Sequence, residues 1–201
     1  MKNSLLIVLI FAAGVLFGTQ HLLSAFMARV DMILYALYGL LFLVGIDIGS
    51  NPSAWLTIKK LNLKIVLVPV SIAAGSVLGA AMVSPFFANI SWGDAFAVGA
   101  GFGYYSLSSI IITHIKGDAL GVIALLANLS REIFTLLFAS LLARFLGKLA
   151  PVAAGGATAM DTTLPVIARS SGKDYAIIAF FSGIVLTVLV PFLVPLFLSL
   201  G

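Results

Sequence analysis

The sequence predicts an all-α fold: a polytopic helical membrane protein with about five net crossings and two short re-entrant or broken segments. Composition is the first ground. Of 201 residues, 62% are hydrophobic and 9% charged, and mean hydropathy is +1.21. A soluble domain carries roughly 45–50% apolar and about 25% charged residues. The chain therefore has too little polar surface to coat a water-soluble globule. The second ground is that the apolar residues fall in long runs, and about 20 such residues cross a bilayer core. The third is the distribution of lysine and arginine, taken up below. These observations exclude a cytosolic enzyme, a disordered regulator and a nucleic-acid reader. The formal charge of +4 reads as a topology signal, not as a nucleic-acid footprint. With no cysteine and only His21 and His114, no thiolate or histidine metal centre is expected, nor any other cofactor.

The whole chain, residues 1–201, reads as a single integral membrane domain. Ser4–Gly18, after Lys2, is a retained first span that extends towards Leu23; no small-residue cleavage site follows it. Met32–Gly49 is the second span and Lys64–Phe87 the third. Gly93–His114 is apolar but holds Gly93, Gly99, Gly101 and Gly103, then Tyr104, Tyr105, Ser106, Ser108 and Ser109. Clustered glycines cost helix stability, so this segment is expected to dip into the membrane and return. Leu120–Leu146 is long enough to cross with tilt. Gly155–Ala168 is too short to cross. Tyr175–Leu200 is the last span, with Pro191 and Pro195 near its end. Trp55 and Trp92 flank apolar runs as interfacial anchors.

The charges decide between topologies. If every long segment crosses, five basic residues fall on each side, with no bias. If Gly93–His114 returns to its own side, one side holds Lys2, Lys59, Lys60, Lys64, Arg144, Lys148, Arg169 and Lys173, and the other only Arg29 and Lys116. That is the asymmetry of the positive-inside rule. It places the N-terminus in the cytoplasm and the C-terminus outside. Gly155–Ala168 then enters from the cytoplasmic side. Two interrupted segments dipping from opposite faces suit a secondary transporter.

Arg131 and Glu132 lie in the middle of Leu120–Leu146. A charge at the midplane costs on the order of 2.5–3.5 kcal/mol. Adjacent helical residues point about 100° apart, so each needs its own partner. Glu132 is read as binding a cation or a proton in a hydrated cavity; the plainer alternative is an ion pair locking two helices. Arg131 is a candidate of the same site or a structural counter-ion. Asn128, one turn before Glu132, shares its face. Asp161, Thr162 and Thr163 precede a half-helix near Leu164–Pro165, where they either cap its start or frame an anion site. Gly101, Gly103 and Gly156 are candidates for backbone lining a pathway, with Tyr104 and Ser106 beside it; close helix packing is the alternative. The glycine stretch meets neither nucleotide-loop spacing. No set of residues supports an intramembrane enzyme.

Three motifs carry a resemblance. Gly101-Phe102-Gly103-Tyr104-Tyr105-Ser106-Leu107-Ser108, Asn128-Leu129-Ser130-Arg131-Glu132 and Gly156-Ala157-Thr158-Ala159-Met160-Asp161-Thr162-Thr163-Leu164-Pro165 follow in the order and spacing of the lysine exporter (LysO) family, which this chain resembles over essentially its full length. Leu41–Gly49 is similar to a further family stretch. The resemblance implies export of L-lysine, and of analogues such as thialysine, across the bacterial inner membrane; the coupling we expect is exchange for a proton or cation, as in an antiporter. The resemblance also implies that an intramembrane acidic pair is important, and Glu132 matches one member by motif. Our own reading is that Glu132 binds the substrate's ammonium group or the coupling proton, and that Arg131, where it faces the cavity, meets the carboxylate. Full-length members carry further N-terminal spans. The expected partners are therefore the lipid bilayer and either a small membrane protein supplying those spans or a second copy. The rival expectation is a non-transport membrane subunit or scaffold of a larger complex.

Overall fold

The computed structural model describes residues 63–87 and 90–201, together with the isolated positions Ala13, Leu16, Tyr35, Tyr38, Gly39, Phe42 and Ile46. By compactness the chain divides into Met1–Gly39 and Leu40–Gly201, and the architecture below belongs to the second unit. The expected spans Ser4–Gly18 and Met32–Gly49, with Arg29, Trp55, Lys59 and Lys60, fall outside the continuously described residues.

The described residues from 63 onward are helical, without strands. Helix α1 is Leu63–Val83, continued by a 3-10 turn at Ser84–Phe86. Helix α2 is Trp92–Gly99 and α3 is Tyr105–Lys116. Helix α4, Asp118–Phe145, is the longest among the described residues. Helix α5, Ala150–Gly155, runs into a 3-10 turn at Gly156–Met160. Helix α6 is Leu164–Ser171 and α7 is Lys173–Leu198. Among the described residues, three stretches are long and apolar enough to cross a bilayer: Ile65–Phe86, Asp118–Phe145 and Lys173–Leu198. Pro69 in α1, and Pro191 and Pro195 in α7, lie inside helices, a placement that neighbouring helices tolerate at membrane depth.

Between these long helices sit two broken hairpins. The first is α2–α3. A capping box starts it: the Ser91 hydroxyl accepts from Asp94 N–H and the Asp94 carboxylate accepts from Ser91 N–H. The helix stops at Gly99, and the chain turns through Phe102 and Gly103, both at positive φ (51° and 95°). Lys116 Nζ, at the end of α3, lies 3.6 Å from Asp94 Oδ1 at the start of α2, so the segment returns to the end from which it set out. Gly117, at φ 93°, then turns the chain directly into α4. Helices α3 and α4 pack closely, since a Cβ on Gly121 would overlap Thr113 Oγ1.

The second hairpin is α5–α6. Lys148 Nζ, just before α5, sits 5.8 Å from the centre of the Tyr175 ring at the start of α7, so this segment also returns to its own end. Helix α7 then runs to the opposite end, where a Cβ on Gly93 would lie 2.7 Å from Gly201 N. The two hairpins thus enter from opposite ends. Arg144, Lys148, Arg169 and Lys173 cluster at the end of the second hairpin and Lys116 at the end of the first.

Candidate functional site

The two hairpins meet at their breaks. Ala157 N–H donates to the Phe102 carbonyl at 2.9 Å. A Cβ on Gly156 (φ 61°) would overlap that carbonyl, and one on Gly103 would lie 3.2 Å from the Gly155 carbonyl. A third contact comes from α7, where a Cβ on Gly183 would lie 2.7 Å from Met160 N. Small residues are the means by which backbones approach this closely.

Broken helices leave backbone groups without intrahelical partners, and the membrane interior offers no water to satisfy them. Helix α4 supplies the substitutes. Asn128 Oδ1 accepts from Gly103 N–H at 2.7 Å, and its Nδ2 donates to the Val98 carbonyl at 3.2 Å and to the Ala124 carbonyl at 3.0 Å. It bridges the gap that the break in the first hairpin opens. Arg131, three residues on, does the same for the second. Its Nε donates to Ala154 O and its Nη2 to Ala153 O, each at 2.8 Å, and its Nη1 donates to Ser76 Oγ on α1 at 2.8 Å. A guanidinium at carbonyls of a helix C-terminus also suits the helix dipole. Replacing Asn128 with Ala strips the buried Gly103 N–H of its acceptor. That costs about 1–3 kcal/mol, to be read as a lower thermal midpoint of the detergent-purified protein.

Glu132 differs from both. It lies in the stripe Ala124, Asn128, Glu132, Thr135 and Ala139 that α4 buries, and is 7% exposed. Its Oε2 is buried without a hydrogen-bond partner among the described residues. By position it stands about 20 Å from either end of α4. Buried polar atoms are normally paired, so an orphaned carboxylate oxygen requires a reason. Ser182 on α7, also fully buried, has an orphaned hydroxyl too.

The other candidates are distributed around the crossing. Gly101 packs on Asn128 and Ser108, where a Cβ would lie 2.7 Å from Ser108 Oγ. Tyr104 and Ser106 are half-buried at the start of the second arm of the first hairpin. Thr163 is fully buried and its hydroxyl meets Thr158 Oγ1 at 3.3 Å. Asp161 and Thr162 are exposed, with Asp161 Oδ1 accepting from Thr162 N–H. The expected capping of the half-helix is not what forms: α6 starts with no side-chain cap, because Thr163 turns inward to Thr158 and Asp161 bonds its own neighbour. Close contacts therefore join Gly101, Gly103, Asn128, Arg131 and Gly156 in one knot; Asp161 and Thr162 form a separate local turn. Sequence reasoning missed Ser76, Phe102 and Ser182. The small residues Ser71, Gly75, Ser76 and Gly79 in the third span were the available signal for the first of these.

Opposed broken hairpins, stitched by one long helix that also buries a carboxylate, define a polytopic α-helical membrane protein with a polar centre at membrane depth. The chain belongs to the lysine exporter LysO family, whose profile matches residues 8–198. It is 35% identical over 167 residues to the protein named lysine exporter LysO in Escherichia coli, a match covering 81% of this chain and 54% of that protein. It is 35% identical over 168 residues to a protein of Haemophilus influenzae named as a candidate lysine exporter, covering 83% of this chain and 84% of that one. The chain thus spans about half the length of the Escherichia coli relative. No solved structure matches it at a significant level.

Proposed function

We propose that the chain is a secondary transporter that exports L-lysine, and analogues such as thialysine, across the bacterial inner membrane in exchange for a proton or another cation. The observation that carries this is Glu132: a carboxylate buried at the middle of a long apolar helix with one oxygen unpartnered. Holding a carboxylate there is costly, and a passing ammonium group or a proton supplies the missing partner. A site that takes one or the other gives exchange. Membership in the lysine exporter family supports lysine as the amine.

In this reading Asn128 and Arg131 keep the two breaks in register beside Glu132. Gly101, Gly103 and Gly156 let the backbones meet, and Tyr104, Ser106, Asp161, Thr162 and Thr163 border the route. The basic residues at the second hairpin's end support a cytoplasmic position for that end. Five net crossings follow, with a cytoplasmic N-terminus and a periplasmic C-terminus. A small membrane protein or a second copy completes the assembly. The test is lysine and thialysine tolerance of an exporter-null strain expressing the chain, alone and with its small membrane partner. Raised tolerance together with faster lysine efflux is expected. No gain in either arm contradicts the proposal.

A further inference from the structure

A cleft of about 430 Å³ lies between α1 and α4, lined by Ser71, Ile72, Gly75, Ser76, Arg131 and Ala153 among others. Its size falls within the roughly 300–1,000 Å³ of small-molecule sites. Arg131 is the charged group in its wall. The guanidinium has five N–H donors. Nε uses its one, on Ala154 O, and Nη1 and Nη2 use one each, on Ser76 Oγ and Ala153 O. One N–H on each terminal nitrogen is left, and two such nitrogens are what a carboxylate takes bidentately. All three partners are neutral, and no carboxylate lies within 4 Å of the guanidinium among the described residues. A cation therefore stands in the wall of a cleft, at mid-helix, with donors to spare and no anion.

Resting on the transport reading above, we infer that this cleft is the subsite for the α-carboxylate of the exported amino acid, with Arg131 as its charge and Ser76 as the neighbouring hydroxyl that sets its width. Arg131 is the fourteenth residue of the 28 in α4, so each helix end is about 20 Å away. A lipid phosphate stays outside a hydrocarbon core some 30 Å thick and does not reach this depth. A free amino acid in transit does. The subsite supplies the anion end of recognition at Arg131. The substrate class is thus an amino acid, not a diamine.

The test compares efflux of lysine, lysinamide and cadaverine from preloaded cells expressing the chain with its partner, in wild type and in Ser76→Asp and Ser76→Asn. The wild type is expected to export lysine at least about tenfold faster than the two compounds that lack a carboxylate. Ser76→Asp places a carboxylate beside Arg131 from the protein itself. It is expected to raise the KM for lysine about tenfold and to shift the cadaverine-to-lysine ratio towards cadaverine by a similar factor. Ser76→Asn, uncharged and of the size of Asp, separates charge from bulk: it is expected to slow all three compounds alike without shifting the cadaverine-to-lysine ratio. A purely structural Arg131 would be indifferent to, or strengthened by, the new ion pair. Equal export of lysine and cadaverine by the wild type overturns the subsite while leaving transport intact, and so does wild-type lysine kinetics in Ser76→Asp. Export of none of the three overturns both.

Discussion

Glu132→Gln is expected to abolish lysine export while leaving the protein folded and in the membrane. Gln keeps the size and hydrogen-bonding shape of the side chain and removes its charge. The carboxylate oxygen it replaces has no internal hydrogen-bond partner, so no hydrogen bond of that oxygen among the described residues is broken. On the proposed role, what is lost is the pairing with a buried ammonium. Removing one partner of a buried ion pair costs about 3–5 kcal/mol, which at 1.4 kcal/mol per decade is a loss of roughly 100-fold or more in flux. Efflux from lysine-loaded cells, with membrane abundance as the control, measures it. A structural lock would behave otherwise: Gln there would lower abundance or thermal stability and leave the flux per molecule unchanged.

Gly156→Ala is expected to prevent assembly. The residue sits at φ 61° and ψ −124°, and non-glycine residues held in sparsely populated backbone regions cost on the order of 1–3 kcal/mol. The added methyl would also overlap the Phe102 carbonyl and stand 3.0 Å from Arg131 Nη2. That carbonyl is the acceptor that ties the first hairpin to Ala157, so the clash lands on the knot itself. Overpacking of this kind adds typically ~1–3 kcal/mol. Together the two terms take a large share of a stability of about 5–15 kcal/mol. Gly147→Ala is the matched control. It has positive φ (91°) but open space around the new methyl, so it bears the backbone cost alone. Membrane abundance and thermal midpoint should fall for Gly156→Ala well beyond any fall for Gly147→Ala.

The sequence showed some of this plainly. Charged residues inside the apolar run Leu120–Leu146 had to be accommodated within the helix packing, so Glu132 was legible as a buried carboxylate. The glycines of Gly93–His114 announced a break, and the basic residues at the far end of the chain pointed to hairpins that return. The partners of Arg131 were not legible. Ala153, Ala154 and Ser76 are 22, 23 and 55 residues away, and two of them act through backbone carbonyls that any residue type would offer. Phe102 was hidden for the same reason: its contribution is a carbonyl and a left-handed φ, and neither shows in a side chain. The cap of α6 was misjudged because Asp161 and Thr163 each had a competing partner, Thr162 N–H and the Thr158 hydroxyl. One of these is local, and the other depends on a 3-10 turn that composition does not reveal.

Lysine export as proposed requires a carboxyl group at Glu132 that the amine substrate occupies. Carbodiimides react with protonated carboxyl groups in apolar surroundings, so labelling of the membrane-embedded protein, read by peptide mass spectrometry, reports on that group directly. Modification at Glu132 is expected, slowed several-fold by lysine or thialysine and not by leucine. A Glu132 that resists the reagent, or that labels at the same rate with and without saturating lysine, would contradict the proposed role.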